Sequence, residues 1–139
     1  MTTEDYVSYP LALALKKHGF DEPCRDFYWP SDGTFKHTDA PVHKNSEHCT
    51  TMVAAPTLWQ TQKWLREEWG IHVNVCIYSD YSTDADGKVC DRWDFWGFDL
   101  YAVSGGDMME EGDGEYDTYE SALSAGIAAA LELIEKKGE

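Results

Sequence analysis

Apolar side chains return at helical spacing in three stretches of this chain and alternate with polar ones in a fourth. In "SYPLALALKKHGFDEP" Leu11, Ala14 and Leu15 share one side of a helix predicted over 9–18. Ser8 is placed to cap it, and Pro10 is tolerated in its first turn. Gly19 supplies a left-handed stop, Phe20 can fold back on the last turn, and Pro23 prevents continuation. A second helix opens at Thr57, with Gln60 at the spacing of a capping box, and ends at Gly70. Along it Leu58, Gln62, Leu65 and Trp69 fall within about 60° of one another at 100° per residue, flanked by Trp59 and Trp64. A third begins at Asp117, read as N-cap, with Glu120 at N3. Its apolar face is Tyr119, Ala122, Leu123, Ile127, Ala130, Leu131 and Ile134, and Lys136 and Lys137 sit at the negative end. Gly126 permits close backbone approach to a sheet, at about 1 kcal/mol relative to Ala.

The alternating stretch is "IHVNVCIY", where Ile71, Val73, Val75 and Ile77 oppose His72, Asn74, Cys76 and Tyr78. Period two of this kind predicts a strand with one face in the core. Asp86-Gly87 marks a turn, and Val89 to Val103 is the returning strand. There Trp93 and Phe95 are out of phase with Phe98, Leu100 and Ala102, so a bulge is expected near Gly97, which turns Trp96 and Tyr101 away from the core. Earlier, "RDFYWPSDGTFKH" predicts a hairpin with strands near 24–29 and 34–37 around Pro30-Ser31-Asp32-Gly33. Residues 38–55 lack a period and read as a long loop. The sum is an α+β domain in the order α-β-β-α-β-β-α, an antiparallel sheet with helices packed on it. The two hairpins fit either one four-stranded sheet or two pieces. At 139 residues and 42% hydrophobic content the chain has material for one core, and residues 1–139 are read as a single domain.

Charge narrows the function. The net charge of −15, with 11 basic residues against 26 acids, opposes direct binding of nucleic acid or an anionic membrane. Residues 1–77 carry 7 basic and 10 acidic groups, whereas residues 78–139 carry 4 and 16, so the acidity belongs to the C-terminal half. Acids precede the five-residue apolar run "LALAL", which is neither a secretory signal nor a membrane span. The expectation is a cytoplasmic protein whose Cys24, Cys49, Cys76 and Cys90 stay reduced.

Motifs for chemistry are weak. In "SDYSTDADGKVCDRW" Asp84, Asp86 and Gly87 match calcium-loop positions if Ser82 opens the loop, but Trp93 stands where a bidentate Glu is required. A turn built on Asp-Gly is the reading. His37, His43, His48 and Cys49 gather in loop 37–49, yet their spacing matches no structural zinc pattern, and a polar surface loop is the plainer reading. No G-x-S-x-G or phosphate-cradling glycine loop is present. The run "DMMEEGDGEYDTYE" contains no Lys or Arg. Asp107, Glu110, Glu111, Asp113 and Glu115 in it read most plainly as a solvated loop that keeps a small protein soluble. The sharper reading is attraction of a basic protein, in the manner of a nucleic acid's negative surface, with Trp96 and Tyr101 as exposed aromatic anchors.

"LKKHGFDEPC", "APTLWQTQKWLREEWGIHVNV" and "YDTYESALSAGIAAALELI" together resemble a group of small proteins encoded by phages and other mobile elements of gut bacteria. The match covers most of the chain in the same order, without the insert at 107–115, and brings no catalytic residue with it. It implies a cytoplasmic accessory protein of a mobile element. The leading expectation is therefore a non-enzymatic interaction protein without cofactor, whose acidic half meets a basic host or element-encoded protein. The alternative is a metal-binding protein or small enzyme centred on His43, His48 and Cys49, and a third reading is self-association through the aromatic face.

Overall fold

A computed structural model describes residues 5–29, 32–37, 44–48, 52–112 and 114–137, and for Glu47 and His48 the backbone only. Its elements are α1 (Tyr9–Lys17), β1 (Asp26–Tyr28), β2 (Phe35–His37), β3 (Val53–Ala54), α2 (Leu58–Glu68), β4 (Ile71–Thr83), β5 (Val89–Ala102), β6 (Met108–Glu111) and α3 (Tyr119–Lys137). The class is α+β, with two three-stranded antiparallel sheets ordered β2-β1-β3 and β4-β5-β6. The hairpins thus lie in two sheets, and each has a third strand that hydrophobic pattern did not show. The chain falls into two compact units, residues 1–64 with 131–139, and residues 65–130, so the divisions lie inside α2 and α3. No described helix is long and apolar enough to cross a membrane.

In the first unit, the Ser8 side chain accepts from Leu11 N–H at 3.5 Å, and Gly19 is left-handed at φ 91°. Phe20 N–H then returns to the Leu15 carbonyl at 2.9 Å, and its buried ring meets Trp64 edge-on at 5.3 Å, as the helix-stop pattern predicts. β1 pairs with β2 on one side and β3 on the other, Phe27 facing Lys36 and Ala54. Of the long loop expected over 38–55, residues 38–43 and 49–51 lie outside the described residues, and the described part holds a 3-10 turn at Asn45–His48 and β3. Buried Asn45 explains this: its amide donates to the Phe20 carbonyl at 2.8 Å and accepts from Ala54 N–H at 2.9 Å. Thr57 caps α2 by accepting from Gln60 N–H at 3.1 Å, but the Gln60 side chain donates to the Pro23 carbonyl instead of closing the capping box. Leu58, Thr61, Trp64 and Leu65 are the buried positions of α2, whereas Trp59 and Trp69 are exposed and Gln62 is half-buried, a correction to the predicted face. At the other end of the unit, Glu135 holds Lys17 at 2.7 Å and His18 at 2.9 Å.

In the second unit, α3 lies against β4 and β5. A Cβ on Gly126 would fall 2.4 Å from Val73 Cγ1 and 3.2 Å from the Phe98 ring, which is why a glycine stands there. Leu65, Ile71, Val73, Phe98, Leu100, Ala122, Leu123, Ile127 and Ala130 form the buried apolar set. The N-cap of α3 is Thr118, not Asp117: its hydroxyl accepts from Ser121 N–H at 3.0 Å. The register of β4 and β5 is unbroken from Ile71 opposite Ala102 to Ser82 opposite Asp91, with its only shift between Ser82 and Thr83. The expected bulge at Gly97 is therefore absent.

Candidate functional site

The unbroken register fixes which side chains share a face, because opposed residues of an antiparallel pair project together. Ile71, Val73, Val75 and Ile77 share the α3 side with Ala102, Leu100, Phe98 and Trp96. The other side carries His72 with Tyr101, Asn74 with Asp99, Cys76 with Gly97, Tyr78 with Phe95, and Asp80 with Trp93. Trp96 thus faces α3 and packs edge-on against Tyr119 at 5.5 Å, while half-buried Tyr101 lies on the opposite face. The two aromatics expected to form one patch are separated by the sheet.

Strands this long outrun their core. β4 has 13 residues and β5 has 14, and every residue from Ile77 to Asp94 is exposed. This distal part is a two-stranded ribbon, since among the described residues β6 reaches only positions 99–101 and one further bridge joins Trp96 to Tyr116. At about 3.3 Å per residue, Ile77–Thr83 extends roughly 20 Å. On the ribbon Ile77, Tyr81 and Val89 are each 60% exposed and Trp93 is 42% exposed. Tyr78 stacks on Phe95 at 5.7 Å, lies over Gly97 where a Cβ would meet its ring, and donates its hydroxyl to buried Asp99 at 2.8 Å. The hydrogen bond to Asp99, then burial, then the Asp99 charge hold this phenol well above the usual tyrosine range. The turn is closed by Asp84, whose carboxylate accepts from Asp86 N–H and Lys88 N–H at 2.9 Å each, so it caps backbone and is not arranged as a calcium ligand.

The acidic run is only partly a loop. Met108–Glu111 is the edge strand β6, with Glu111 opposite Asp99 and Glu110 opposite Leu100. Asp107, Glu110, Glu111 and Glu115 are exposed, but Glu110 lies on the α3 side and Glu111 on the other. Asp113 lies outside the described residues. The second unit as a whole has three basic residues, Arg66, Lys88 and Arg92, against fifteen acids, a net −12, while the first has eight against eleven, a net −3.

Ladder parity gives the direction of the backbone groups. Val103 N–H donates to the Gly70 carbonyl at 2.9 Å, while Trp96 and Tyr116 exchange bonds at 2.9 and 3.0 Å. Even-numbered residues of β4 therefore bond to β5, and odd-numbered ones turn N–H and C=O to the opposite edge. His72 is half-buried beside this ladder, and its Nδ1 has no hydrogen-bond partner among the described residues. Burial, then the Arg66 charge, lower its pKa.

The alternative site fares differently. His43 and Cys49 lie outside the described residues, and of His48 only the backbone is described. His37 bonds through Nδ1 to buried Asp26. Among the described residues no three His, Cys, Asp or Glu side chains converge as metal ligands. Cys24 lines a small pocket with Asp26, Phe27, Lys44, Asn45, Met52 and Ala54, and burial pushes its thiol up to about 12, against the pull of Gln60. A thiol so protonated is a poor nucleophile.

Sequence reasoning missed Tyr78, Tyr81, Trp93 and Asp99. The available signal was length, since strands of 13 and 14 residues exceed the usual five or six and leave aromatics beyond any helix that could cover them. Comparison of the chain with protein-family models, with curated proteins and with solved structures finds no match.

Proposed function

We propose that this chain is a small non-enzymatic interaction protein, an accessory protein of a phage or mobile element acting in the cytoplasm, that captures a basic protein on its β4-β5-β6 sheet. One observation carries the reading: a net −12 is concentrated in the unit whose ribbon also exposes Tyr81, Trp93, Ile77 and Val89. Clustered carboxylates raise encounter rates with a basic partner, and aromatic side chains are the residues that hold a complex once formed. Charge of one sign alone gives steering without an anchor. Exposed aromatics alone give an anchor without selection.

The test compares three forms of the protein immobilised in bacterial lysate at physiological salt. One is the parent. One carries amides at Asp80, Asp84, Asp86, Asp91 and Asp94 on the ribbon. The third carries amides at Asp107, Glu110, Glu111, Asp113 and Glu115. The parent is expected to retain a basic protein whose association slows about tenfold or more at low salt when ribbon acids are neutralised. Equal retention and equal rates for all three forms, or no basic protein on the parent, would overturn the reading.

A further inference from the structure

Among the described residues the sheet ends on two edge strands of opposite character. β6 is four residues long, carries Glu110 and Glu111, and is irregular opposite Leu100 and Tyr101. Beyond β6, the open side of β5 carries Arg92 and Asp94. Short length, charge and irregularity are the features that keep an edge from pairing with another strand. β4 has none of them over most of its length: from Ile71 to Ser82 it runs in register with a single charged residue, Asp80, and no proline.

We infer that the β4 edge from Val75 to Tyr81 is a strand-acceptor site, which takes an extended, lysine- or arginine-rich segment of a protein partner as a fourth strand of the sheet. The backbone groups are directed for it. Val75, Ile77 and Ser79 occupy the odd positions, and their N–H and C=O groups point away from β5 with no protein partner among the described residues. At Tyr81 the N–H is already taken by the Asp80 carboxylate at 2.8 Å, which sets the distal limit of the donor row. An added strand would satisfy three successive outward positions, the pairing by which extended peptides dock on sheet edges.

Side chains set the chemistry of the occupant. Alternate residues of the added strand would lie beside Ile77 on one face and beside Tyr78 and Asp80 on the other, where Trp93 stands across the strand from Asp80. The first row suits apolar residues. The second suits a cation, held by a carboxylate and by aromatic faces. The basic character rests on the function proposed above, because the unit carries a net −12. That charge also disfavours a second copy of this chain, which would bring another −12 to the same edge.

The probe is a short synthetic peptide of alternating lysine and valine, compared with one of equal length and charge in which proline replaces valine and removes alternate donors. With the parent protein, the lysine-valine peptide is expected to slow amide exchange at Val75, Ile77 and Ser79 about tenfold or more, and the lysine-proline peptide to bind about tenfold more weakly. Ser79→Pro removes an outward N–H without breaking a β4–β5 bond, so it should weaken the first peptide about tenfold and leave the second unchanged. Equal binding of both peptides without protection on β4 overturns the inference while leaving electrostatic capture standing. Protection confined to β6 or to Arg92 and Asp94 overturns it too, as does no binding of either peptide. A dimer that protects Val75, Ile77 and Ser79 without peptide would make a second copy the occupant and overturn it equally. The exchange measurement on the parent decides the matter even if Ser79→Pro unfolds the ribbon.

Discussion

Cys24 and Cys90 show how far environment separates two residues of one type. Cys24 is 7% exposed and donates weakly to the Glu22 carbonyl and Gln60 Oε1, whereas Cys90 is exposed near the ribbon tip. Burial raises the folded-state pKa of Cys24 from 9.0 to about 12, so the folded protein holds this proton more tightly than the unfolded chain. Stability from that difference is complete below the unfolded value and is lost as pH rises through the folded one. Tyr6 acts in the same direction, its phenol pushed up to about 12 first by a hydrogen bond to Asp26 and then by burial. The urea midpoint should therefore fall as pH climbs from about 9 to about 12, and Cys24→Ala should make that fall shallower by an amount on the order of 1–3 kcal/mol. Urea titrations at a series of pH values check this, and identical slopes for parent and variant would refute it. The burial of this thiol was hidden in the sequence, because Cys24 opens the short strand expected near 24–29 without a period to mark it, and tertiary neighbours, Asn45, Ala54 and Gln60 of α2 among them, enclose it.

At the scale of the element, local signals were read well wherever one residue does one local job. Ser8, Gly19, Thr57 and Gly70 stand at the helix ends that their chemistry predicts, with Gly19 and Gly70 at positive φ. The start of α3 shows the limit, since "YDTYE" offers Asp117 and Thr118 one residue apart and both are good caps. The hydrogen bond settles it: Thr118 Oγ1 accepts from Ser121 N–H at 3.0 Å, and Glu120 sits in the first turn, where its charge complements the helix dipole. Thr118→Ala should cost about 1 kcal/mol of stability and Asp117→Ala only a few tenths, measured by urea denaturation. A larger loss from Asp117→Ala would return the cap to the aspartate. The strand register was misread for a different reason. Moving Trp93 and Phe95 into phase with Phe98 assumes that every aromatic needs the same core, yet both lie on the face away from α3, Trp93 exposed on the ribbon and Phe95 half-buried against Tyr78, and in that setting no bulge is required. β6 escaped for the same kind of reason, as an edge strand with charge on both sides has no apolar period to detect. The candidate site was thus legible as composition and illegible as geometry: an acidic C-terminal half with exposed aromatics was expected, but which acids and aromatics share a face depends on register.

For the whole molecule, the division of charge makes salt act on folding and on binding in opposite senses. Fifteen acids against three basic residues in the second unit repel one another in the folded state more than in an expanded chain. Added salt shortens the screening length from about 30 Å at 0.01 M to about 3 Å at 1 M, and so relieves that repulsion. Stability should rise with ionic strength, by about 1 kcal/mol or more over this range, even though the Glu135 pairs with Lys17 and His18 weaken. Capture of a basic partner should fall over the same range, because the field that steers it is the field being screened. A protein stabilised by fixed ion pairs would instead lose stability and binding together. The discriminating measurement is one salt titration read two ways, by thermal unfolding of the free protein and by association rate with the captured partner. Neutralising Asp80, Asp84, Asp86, Asp91 and Asp94 should flatten both curves, since these acids lie on a ribbon with only Lys88 and Arg92 to offset them. If that variant unfolded with the parent's salt dependence, the repulsion would have to be assigned to Glu110, Glu111 and their neighbours on β6, and the corresponding amide variant would then flatten the curve.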